Sequence, residues 1–214
     1  MAHYLISAGP TREHIDPVRF LSNRSTGKMG FAIAAAAAAA GHRVRLVAGP
    51  VALPTPPGVE RTDVVSAREM LAALEECLEG ADVLIMTAAV ADWRPREMSA
   101  TKLKKRAMAA TLELVPNPDI LATLAARKGG RFFVGFAAET GDPLPEAARK
   151  LSAKGLDLIV ANDVTEPGAG FAVDTNRVTI ISPGAEPEPW PLMTKAEVAL
   201  RLVGRIEAAM GGRP

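Results

Sequence analysis

The chain has 214 residues, of which 48% are apolar and 23% charged, so it is long enough for one sizeable core and short for two domains. Its 25 Lys and Arg residues nearly balance its 24 Asp and Glu residues, which disfavours general nucleic-acid binding. A single cysteine, Cys77, excludes an internal disulfide and a paired-cysteine zinc site. No apolar run reaches the roughly 20 residues that cross a bilayer. We therefore expect one domain over residues 1–214, in a reducing cytoplasm, with no membrane and no nucleic-acid partner.

Short apolar runs alternate along the chain with stretches of helical periodicity. This alternation predicts an α/β fold with a mostly parallel central sheet and helices on both faces. The predicted strands cover residues 3–7, 43–47, 61–65, 83–86, 131–134 and 156–161, and the predicted helices cover 27–40, 66–80, 117–127, 144–154 and a C-terminal stretch from 194.

Capping residues mark several of these boundaries. Ser66 is followed three residues later by Glu69, and Thr194 by Glu197, the spacing of a capping box. Asn117 before Pro118 predicts a helix that begins there. The segment 175–177 resembles a turn between two apolar runs and predicts a terminal hairpin over 171–181.

Ligands of parallel α/β sheets bind beyond the carboxyl ends of the strands, so the loops after Ser7, Met86, Val134 and Val160 are the candidate positions for chemistry. The first loop is unusually long, and it ends with Ser25 and Gly27 at a helix N-terminus, where amide groups and the helix dipole favour a phosphate. Neither a P-loop nor a dinucleotide fingerprint is present. An ordinary capped helix entry is the alternative for this segment.

The loop after Met86 contains small residues that let a ligand approach the backbone, and it ends at Asp92. That carboxylate could bind a magnesium ion carried by phosphates, or it could be a solvated loop residue. Lys102 opens a basic run to residue 106 within a segment, approximately 93–112, that we interpret as a flap. A flap lysine could close over phosphates, although charge runs are usually solvated surfaces.

Three further features follow the later strands. Phe136 could flank a base or pack in the core. Lys150 and Lys154 are four residues apart on one helix face, where they could meet a triphosphate or simply be exposed. Asn162 or Asp163 could hold a loop through side-chain hydrogen bonds.

Together these segments resemble phosphopantothenoylcysteine synthetase, the ligase half of the bacterial bifunctional coenzyme A biosynthesis protein. Each segment alone is weak, but they occur in the family's order over nearly the whole chain. The matching stretches are residues 7–13, 15–23, 27–30, 88–92, 102–105, 134–140 and 161–164.

The resemblance implies a modified Rossmann-like fold, a homodimer, and ligation of 4′-phosphopantothenate to L-cysteine with CTP and Mg²⁺. It implies that Asn23 handles the acyl-cytidylate intermediate, that Lys102 is needed for activation, and that Arg19 clamps the phosphate of phosphopantothenate in the partner subunit's site. The positions that match nucleotide contacts are Ser25, Ala88, Ala89, Asp92, Lys102, Phe136, Lys150 and Lys154, and Ala88 also matches a phosphopantothenate contact.

Two departures from the family pattern are visible. Trp93 stands where tyrosine is frequent, and the flavin-dependent decarboxylase half is absent, so we expect no flavin in this chain. The chain is then either a free-standing ligase or part of a bifunctional parent protein. The residues themselves do not distinguish CTP from ATP.

Two other functions fit the same fold class. A nicotinamide-dependent reductase would resemble families with a Tyr and a Lys four residues apart, but the only tyrosine, Tyr4, is followed at that spacing by Ala8. A nucleotide-sensing module would bind CTP without turnover, and a pyrophosphate-release assay would distinguish it from a ligase.

Overall fold

A computed structural model describes residues 1–104 and 111–211. Five helices and a set of strands alternate along the described chain. The helices are α1 (Lys28–Ala39), α2 (Ala67–Leu78), α3 (Ile120–Ala125), α4 (Leu144–Ala153) and α5 (Lys195–Gly211). The strands are β1 (His3–Ala8), β2 (Arg12–His14), β3 (Phe20–Ser22), β4 (Arg43–Ala48), β5 (Val59–Asp63), β6 (Val83–Met86), β7 (Trp93–Pro95), β8 (Leu114–Pro116), β9 (Phe132–Glu139), β10 (Leu158–Asp163), β11 (Thr175–Asn176), β12 (Thr179–Ile181), β13 (Glu188–Pro189) and β14 (Met193–Thr194).

Eight strands form one central sheet in the order β13-β12-β10-β9-β6-β1-β4-β5. The six strands from β10 to β5 are parallel, and β12 and β13 add an antiparallel edge. The chain moves outward from β1 to β4 and β5, then returns to place β6 on the other side of β1. This reversal opens a crevice at the carboxyl ends of β1 and β6, the usual position of ligands in such sheets.

Helices cover both faces of the sheet and enclose two apolar cores. One core lies between the sheet and helices α1 and α5, and the other lies between the sheet and helices α2, α3 and α4. Strand residues therefore alternate between the two cores, as Tyr4 and Ile6 do on one face and Leu5 on the other. The predicted fold class is confirmed.

Most predicted boundaries are close to the observed ones. Ser66 caps α2, since its Oγ accepts a hydrogen bond from the Glu69 amide, and Thr194 and Glu197 exchange hydrogen bonds at the start of α5. The strand predicted at 61–65 lies two residues earlier, and the strand predicted at 156–161 lies two residues later.

The helix predicted from Asn117 to 127 begins later and is shorter. Its N-cap is Asp119, whose side chain accepts a hydrogen bond from the Ala122 amide. Asn117 is occupied elsewhere, because its side-chain amide donates to the Ala91 carbonyl at 2.8 Å. A tertiary contact therefore takes the residue that the local pattern assigned to the cap.

The predicted terminal hairpin over 171–181 is wrong. Strand β11 pairs with β14, while β12 pairs with β10 and β13. The apolar residues 179–181 therefore form a strand of the main sheet, one position in from its edge, and residues 170–174 are an irregular segment.

The long loops contain short two-stranded ribbons. Strands β2 and β3 form one ribbon within the first loop, and β7 and β8 form another at the two ends of the predicted flap. Residues 105–110 of that flap, including Lys105 and Arg106, lie outside the described residues. Within residues 1–104 and 111–211, no helix has the length and apolar character needed to cross a membrane.

Candidate active site

A cleft of about 370 Å³ lies at the carboxyl edge of the sheet. It brings together seven of the predicted site residues, together with Asn117, Asp119 and Phe171. The seven are Asn23, Ala88, Ala89, Asp92, Phe136, Lys150 and Lys154.

A smaller cavity of about 60 Å³ adjoins this cleft. Phe136, Ala138 and Phe171 line both spaces, so the two share a wall. The smaller cavity is lined by residues 25–30 at the start of α1, with Thr87, Asn162, Gly170, Asn176 and Lys195. It contains Ser25, the predicted nucleotide contact that the larger cleft lacks.

Backbone hydrogen bonds join the loop after β1 to the loop after β6. The Ala89 amide donates to the Gly9 carbonyl at 2.9 Å, and the Thr11 amide donates to the Ala89 carbonyl at 3.3 Å. Asn23 reaches the same carbonyl, since its side-chain amide donates to the Ala89 oxygen at 2.8 Å. Asn23 is exposed and lines the cleft, and its bond to Ala89 fixes the position of its side chain there.

Two glycines allow the close packing beneath these loops. A Cβ on Gly49 would overlap the carbonyl oxygen of Pro10, and a Cβ on Gly30 would overlap the side chains of Thr87 and Ala8. Helix α1 can therefore approach the ends of β1 and β6 closely only because its third residue is glycine.

Asp92 and Asn117 meet at the end of the loop after β6. The backbone amide of Asn117 donates to the backbone carbonyl of Asp92 at 2.8 Å. The Asp92 carboxylate takes no part in this bond and is exposed on the rim of the cleft. Asn117 also accepts a hydrogen bond from the Arg94 guanidinium at 3.2 Å. The loop is thus anchored at both ends, with its small residues facing the cleft.

Another side of the cleft is lined by Lys150, which lies in helix α4, and by Lys154, the C-cap residue of that helix. The Lys150 ammonium lies 2.6 Å from Glu139 and 3.7 Å from Glu146, and the Lys154 ammonium lies 2.9 Å from Asp119. Burial alone would raise the pKa of Asp119, but the Ala122 amide and the Lys154 ammonium hold that pKa below its usual range. Both lysines are therefore paired with carboxylates that line or adjoin the cleft.

The N-cap residue of α1 supplies no capping side chain. It is Gly27, in the left-handed conformation at φ 77°. Ser25 Oγ accepts only a long hydrogen bond, 3.4 Å, from the Gly27 amide. Asn162 faces the same cavity and is 7% exposed.

Arg19 and Lys102 lie at the base of the predicted flap rather than in the cleft. Buried Asp16 accepts hydrogen bonds from the Arg19 guanidinium, which holds the Asp16 pKa well below its usual range, and from the Leu103 amide at 3.1 Å. Arg19 also donates to the Leu103 carbonyl at 3.0 Å. Lys102, beside this anchored residue, is exposed and does not line the cleft.

Comparison with known proteins gives the family. The model of the DNA/pantothenate metabolism flavoprotein C-terminal domain matches residues 1–210. The chain belongs to this family. The coenzyme A biosynthesis bifunctional protein CoaBC of Bacillus subtilis (strain 168) is 48% identical over 207 residues, covering 96% of this chain and 51% of the relative. CoaBC of Escherichia coli (strain K12) is 52% identical over 176 residues, covering 80% of this chain and 43% of the relative.

A solved structure of the C-terminal domain of CoaBC has a TM-score of 0.85 and 41% identity, and the match covers 99% of this chain and 97% of that domain. The resemblance stated from the sequence is therefore confirmed. The chain spans about half the length of the curated relatives it matches.

In this member of the pantothenate metabolism flavoprotein family, sequence reasoning missed several cleft residues. Asn117 was assigned only to a helix start and Asn162 only to a loop turn, and Asp119 and Lys195 were not considered. The run Pro116-Asn117-Pro118-Asp119 could have indicated a fixed loop at the cleft, because Pro, Asn and Asp are residues that favour defined turns. Lys195 had no local signal.

The donor set of the cleft fits magnesium only as an ion carried by phosphates. Within residues 1–104 and 111–211, no group of three or more His, Cys, Asp or Glu side chains is gathered to hold a metal. Asp92 offers one exposed carboxylate on the rim. One carboxylate completed by substrate phosphates and water is a common environment for Mg²⁺.

Proposed function

We propose that this chain is a phosphopantothenate–cysteine ligase of coenzyme A biosynthesis, which consumes CTP and forms CMP and pyrophosphate. The observation that carries the proposal is the cleft itself. Three separate loops and one helix place an asparagine, a loop of small residues, a carboxylate and two lysines around one space large enough for a nucleotide. Membership of the family and the similarity to CoaBC support the same function.

The first step activates a carboxylate that would otherwise resist attack by an amine. A carboxylate oxygen of 4′-phosphopantothenate attacks the α-phosphorus of CTP, the bond between the α- and β-phosphates breaks, and pyrophosphate leaves. Lys102 lies outside the cleft in this structure, and closure of the predicted flap brings it to the α-phosphate, where it stabilises the negative charge that develops. Lys150 and Lys154 hold the nucleotide phosphates, and Mg²⁺ held at Asp92 supplies further positive charge there when bound.

The second step forms the amide bond. The neutral amine of L-cysteine attacks the acyl carbon of the acyl-cytidylate, the bond from that carbon to the CMP oxygen breaks, and the amine loses a proton. Asn23 is an uncharged donor and acceptor, fixed by its bond to Ala89, and it orients the acyl group for this attack. Ala88 and Ala89 allow the substrate to lie against the backbone.

The nucleotide base and phosphates have distinct positions in this proposal. Phe136 lies between the two cavities and stacks on or borders the nucleotide. Ser25, the amides at the start of α1 and the Asn162 side chain offer donors to phosphate oxygens or ribose hydroxyls.

The protein functions as a homodimer in this proposal. The two ribbons β2–β3 and β7–β8 lie against each other and expose large apolar side chains, with Val18 56%, Phe20 41%, Trp93 53% and Leu114 40% exposed. Covering this patch with a second copy would bury apolar area and bring Arg19 of one copy toward the site of the other.

Phe20→Asp should lower the mass measured by sedimentation to that of a monomer. Leu200→Asp, on the exposed face of helix α5, should leave the measured mass unchanged.

Turnover tests the function directly. The purified chain is incubated with 4′-phosphopantothenate, L-cysteine, Mg²⁺ and each of the four nucleoside triphosphates in turn, and products are read by mass. We expect 4′-phosphopantothenoylcysteine and CMP with CTP. No product with any nucleotide, despite CTP binding, would instead indicate the sensing module.

Two variants separate the steps. Lys102→Gln should abolish pyrophosphate release, because the charge on the α-phosphate is no longer offset. Asn23→Asp should still release pyrophosphate but accumulate the acyl-cytidylate. Rapid product formation by either variant would remove that residue from its assigned step.

A further inference from the structure

Lys195 is a buried cation at the first residue of α5. The residue is 6% exposed, and its ammonium donates to the carbonyl oxygens of Gly170 at 2.8 Å, Phe171 at 3.2 Å and Val173 at 2.6 Å. In the described part of the chain, no carboxylate forms an ion pair with it. Three carbonyl dipoles therefore take the place of a counter-ion.

This position is an unfavourable one for a lysine. Burial disfavours the ammonium, and the positive end of the α5 dipole adds to the cost. Burial and, to a smaller extent, the neighbouring Lys28 charge lower the pKa of Lys195 to about 8, and Asp174 opposes the shift. Because burying this ammonium costs free energy, its role is better explained by the carbonyl groups that it binds in residues 170–173 than by the stability of α5 alone.

The segment it holds, residues 170–174, forms one wall of the site. Phe171 borders both cavities, and Gly170 lines the smaller one. The same segment is tied to the start of α1, since Thr26 Oγ1 donates to the Phe171 carbonyl at 2.8 Å and the Lys28 ammonium lies 2.7 Å from Asp174. Lys195 thus connects three pieces of chain around the smaller cavity: the α1 start, this wall and α5.

We propose that Lys195 is a positioning residue of the nucleotide site, which sets the place of Phe171 and Gly170 through their carbonyl groups without contacting the reacting atoms. The inference rests on the proposed function for its ligand, CTP. It predicts that loss of the ammonium weakens nucleotide binding, while the chemical steps at Asn23 and Lys102 keep their rates once CTP is bound.

The binding test compares Lys195→Met, Lys195→Arg and a matched control. We expect Lys195→Met to raise the Kd for CTP about tenfold, the usual scale for losing hydrogen bonds to a charged donor, with kcat at saturating CTP within about threefold of the parent. Lys195→Arg, which keeps the cation, should recover most of the affinity. Lys128→Met is the control, because Lys128 also donates to a carbonyl, that of Gly155, but does not line the cleft.

A second readout does not depend on activity. Hydrogen–deuterium exchange should rise in peptides covering residues 168–175 in Lys195→Met, and it should stay unchanged there in Lys128→Met. This result would support the positioning role even if the parent chain bound no nucleotide, in which case only the proposed function would fail.

The pH dependence supplies a test on the unmodified chain, and it applies even if Lys195→Met does not fold. Above pH 8 the neutral amine has two protons to donate to three carbonyls, so CTP affinity should fall between pH 7 and pH 9. Lys195→Arg should remove this fall, because its charge persists. The proposal is overturned by a folded Lys195→Met that binds CTP within about twofold of the parent, by unchanged exchange at 168–175, or by an affinity that is constant between pH 7 and pH 9.

Discussion

Two walls of the cleft are held by different kinds of bond. The loop over residues 87–92 is joined to the first loop by backbone hydrogen bonds, as between Ala89 and Gly9, and side chains such as Thr11 and Asn23 add further bonds. The segment 170–174 is held largely by side chains of three other residues, Thr26, Lys28 and Lys195. The first wall should therefore keep its position when a single side chain is changed, but not when its backbone is displaced. The second should yield to single side-chain substitutions.

The largest expected effect comes from displacing the backbone of the first loop, to which the wall over residues 87–92 is bonded. In Gly49→Ala the new methyl group overlaps the Pro10 carbonyl oxygen, which no side-chain movement can relieve. We expect the free energy of unfolding to fall by about 3 kcal/mol, the upper part of the range for overpacking. Urea unfolding measures the loss. Gly204→Ala, where a Cβ meets nothing within 4 Å, is the control and should not destabilise the chain; equal stability of both variants would contradict the packing argument.

A side-chain anchor at the flap base should give the next largest effect. Asp16→Asn removes the charge that binds Arg19 and the Leu103 amide, so the hydrogen-exchange protection of that amide should fall at least about tenfold. In the parent chain the Asp16 pKa is lowered by Arg19, so the stabilisation is complete above about pH 4 and is lost only as pH falls through the folded pKa. Protection that already declines at pH 5 would argue against this anchor.

A smaller effect should follow from removing a helix cap on the third side of the cleft. Asp119→Ala should cost about 1 kcal/mol of stability, because Asp119 caps α3, and it should strengthen CTP binding at low salt, because Lys154 then has no carboxylate to exchange for a phosphate. Ser66→Ala removes the equivalent cap of α2, which does not line the cleft, and should cost similar stability with no change in CTP affinity. Calorimetry and equilibrium binding on both variants separate the two roles.

The smallest expected effect tests one tie of the side-chain-held wall. Thr26→Val keeps the shape of the side chain but removes the hydroxyl that donates to the Phe171 carbonyl. That carbonyl still accepts from Lys195, so we expect only a two- to fourfold rise in the Kd for CTP, within about 1 kcal/mol. A loss as large as that of Lys195→Met would mean that Thr26, rather than the buried lysine, sets the position of the wall.

The sequence predicted those features that depend on local pattern. Periodic helices, the Ser66 cap and the alternation of strands and helices all follow from spacing, and the parallel sheet that this alternation predicts places the loops bearing Asn23 and Asp92 at one edge of the sheet. Phe136 was predicted to follow a strand, yet it lies inside β9, because pairing with β10 continues that strand to Glu139.

The features that were missed depend on contacts between distant segments. Asn117 and Asp119 are equally good N-caps by residue type, and the bond from Asn117 to Ala91 decides between them. Lys195 binds only backbone carbonyls, which every residue carries, so nothing in the spacing of side chains marks its role. The expected roles of Lys102 and of Arg19 across a dimer remain predictions.

The ion pairs of Lys150 with Glu139 and of Lys154 with Asp119 have a consequence for how charge enters the cleft. When a triphosphate binds, it would replace Glu139 and Asp119 as the counter-ions of these two lysines. Because the lysines are already neutralised by carboxylates of the protein, binding would release fewer salt ions to the solution than the number of lysines suggests. Added salt should then weaken binding only gently, and Glu139→Gln should make that dependence steeper by leaving Lys150 to be neutralised by the solution.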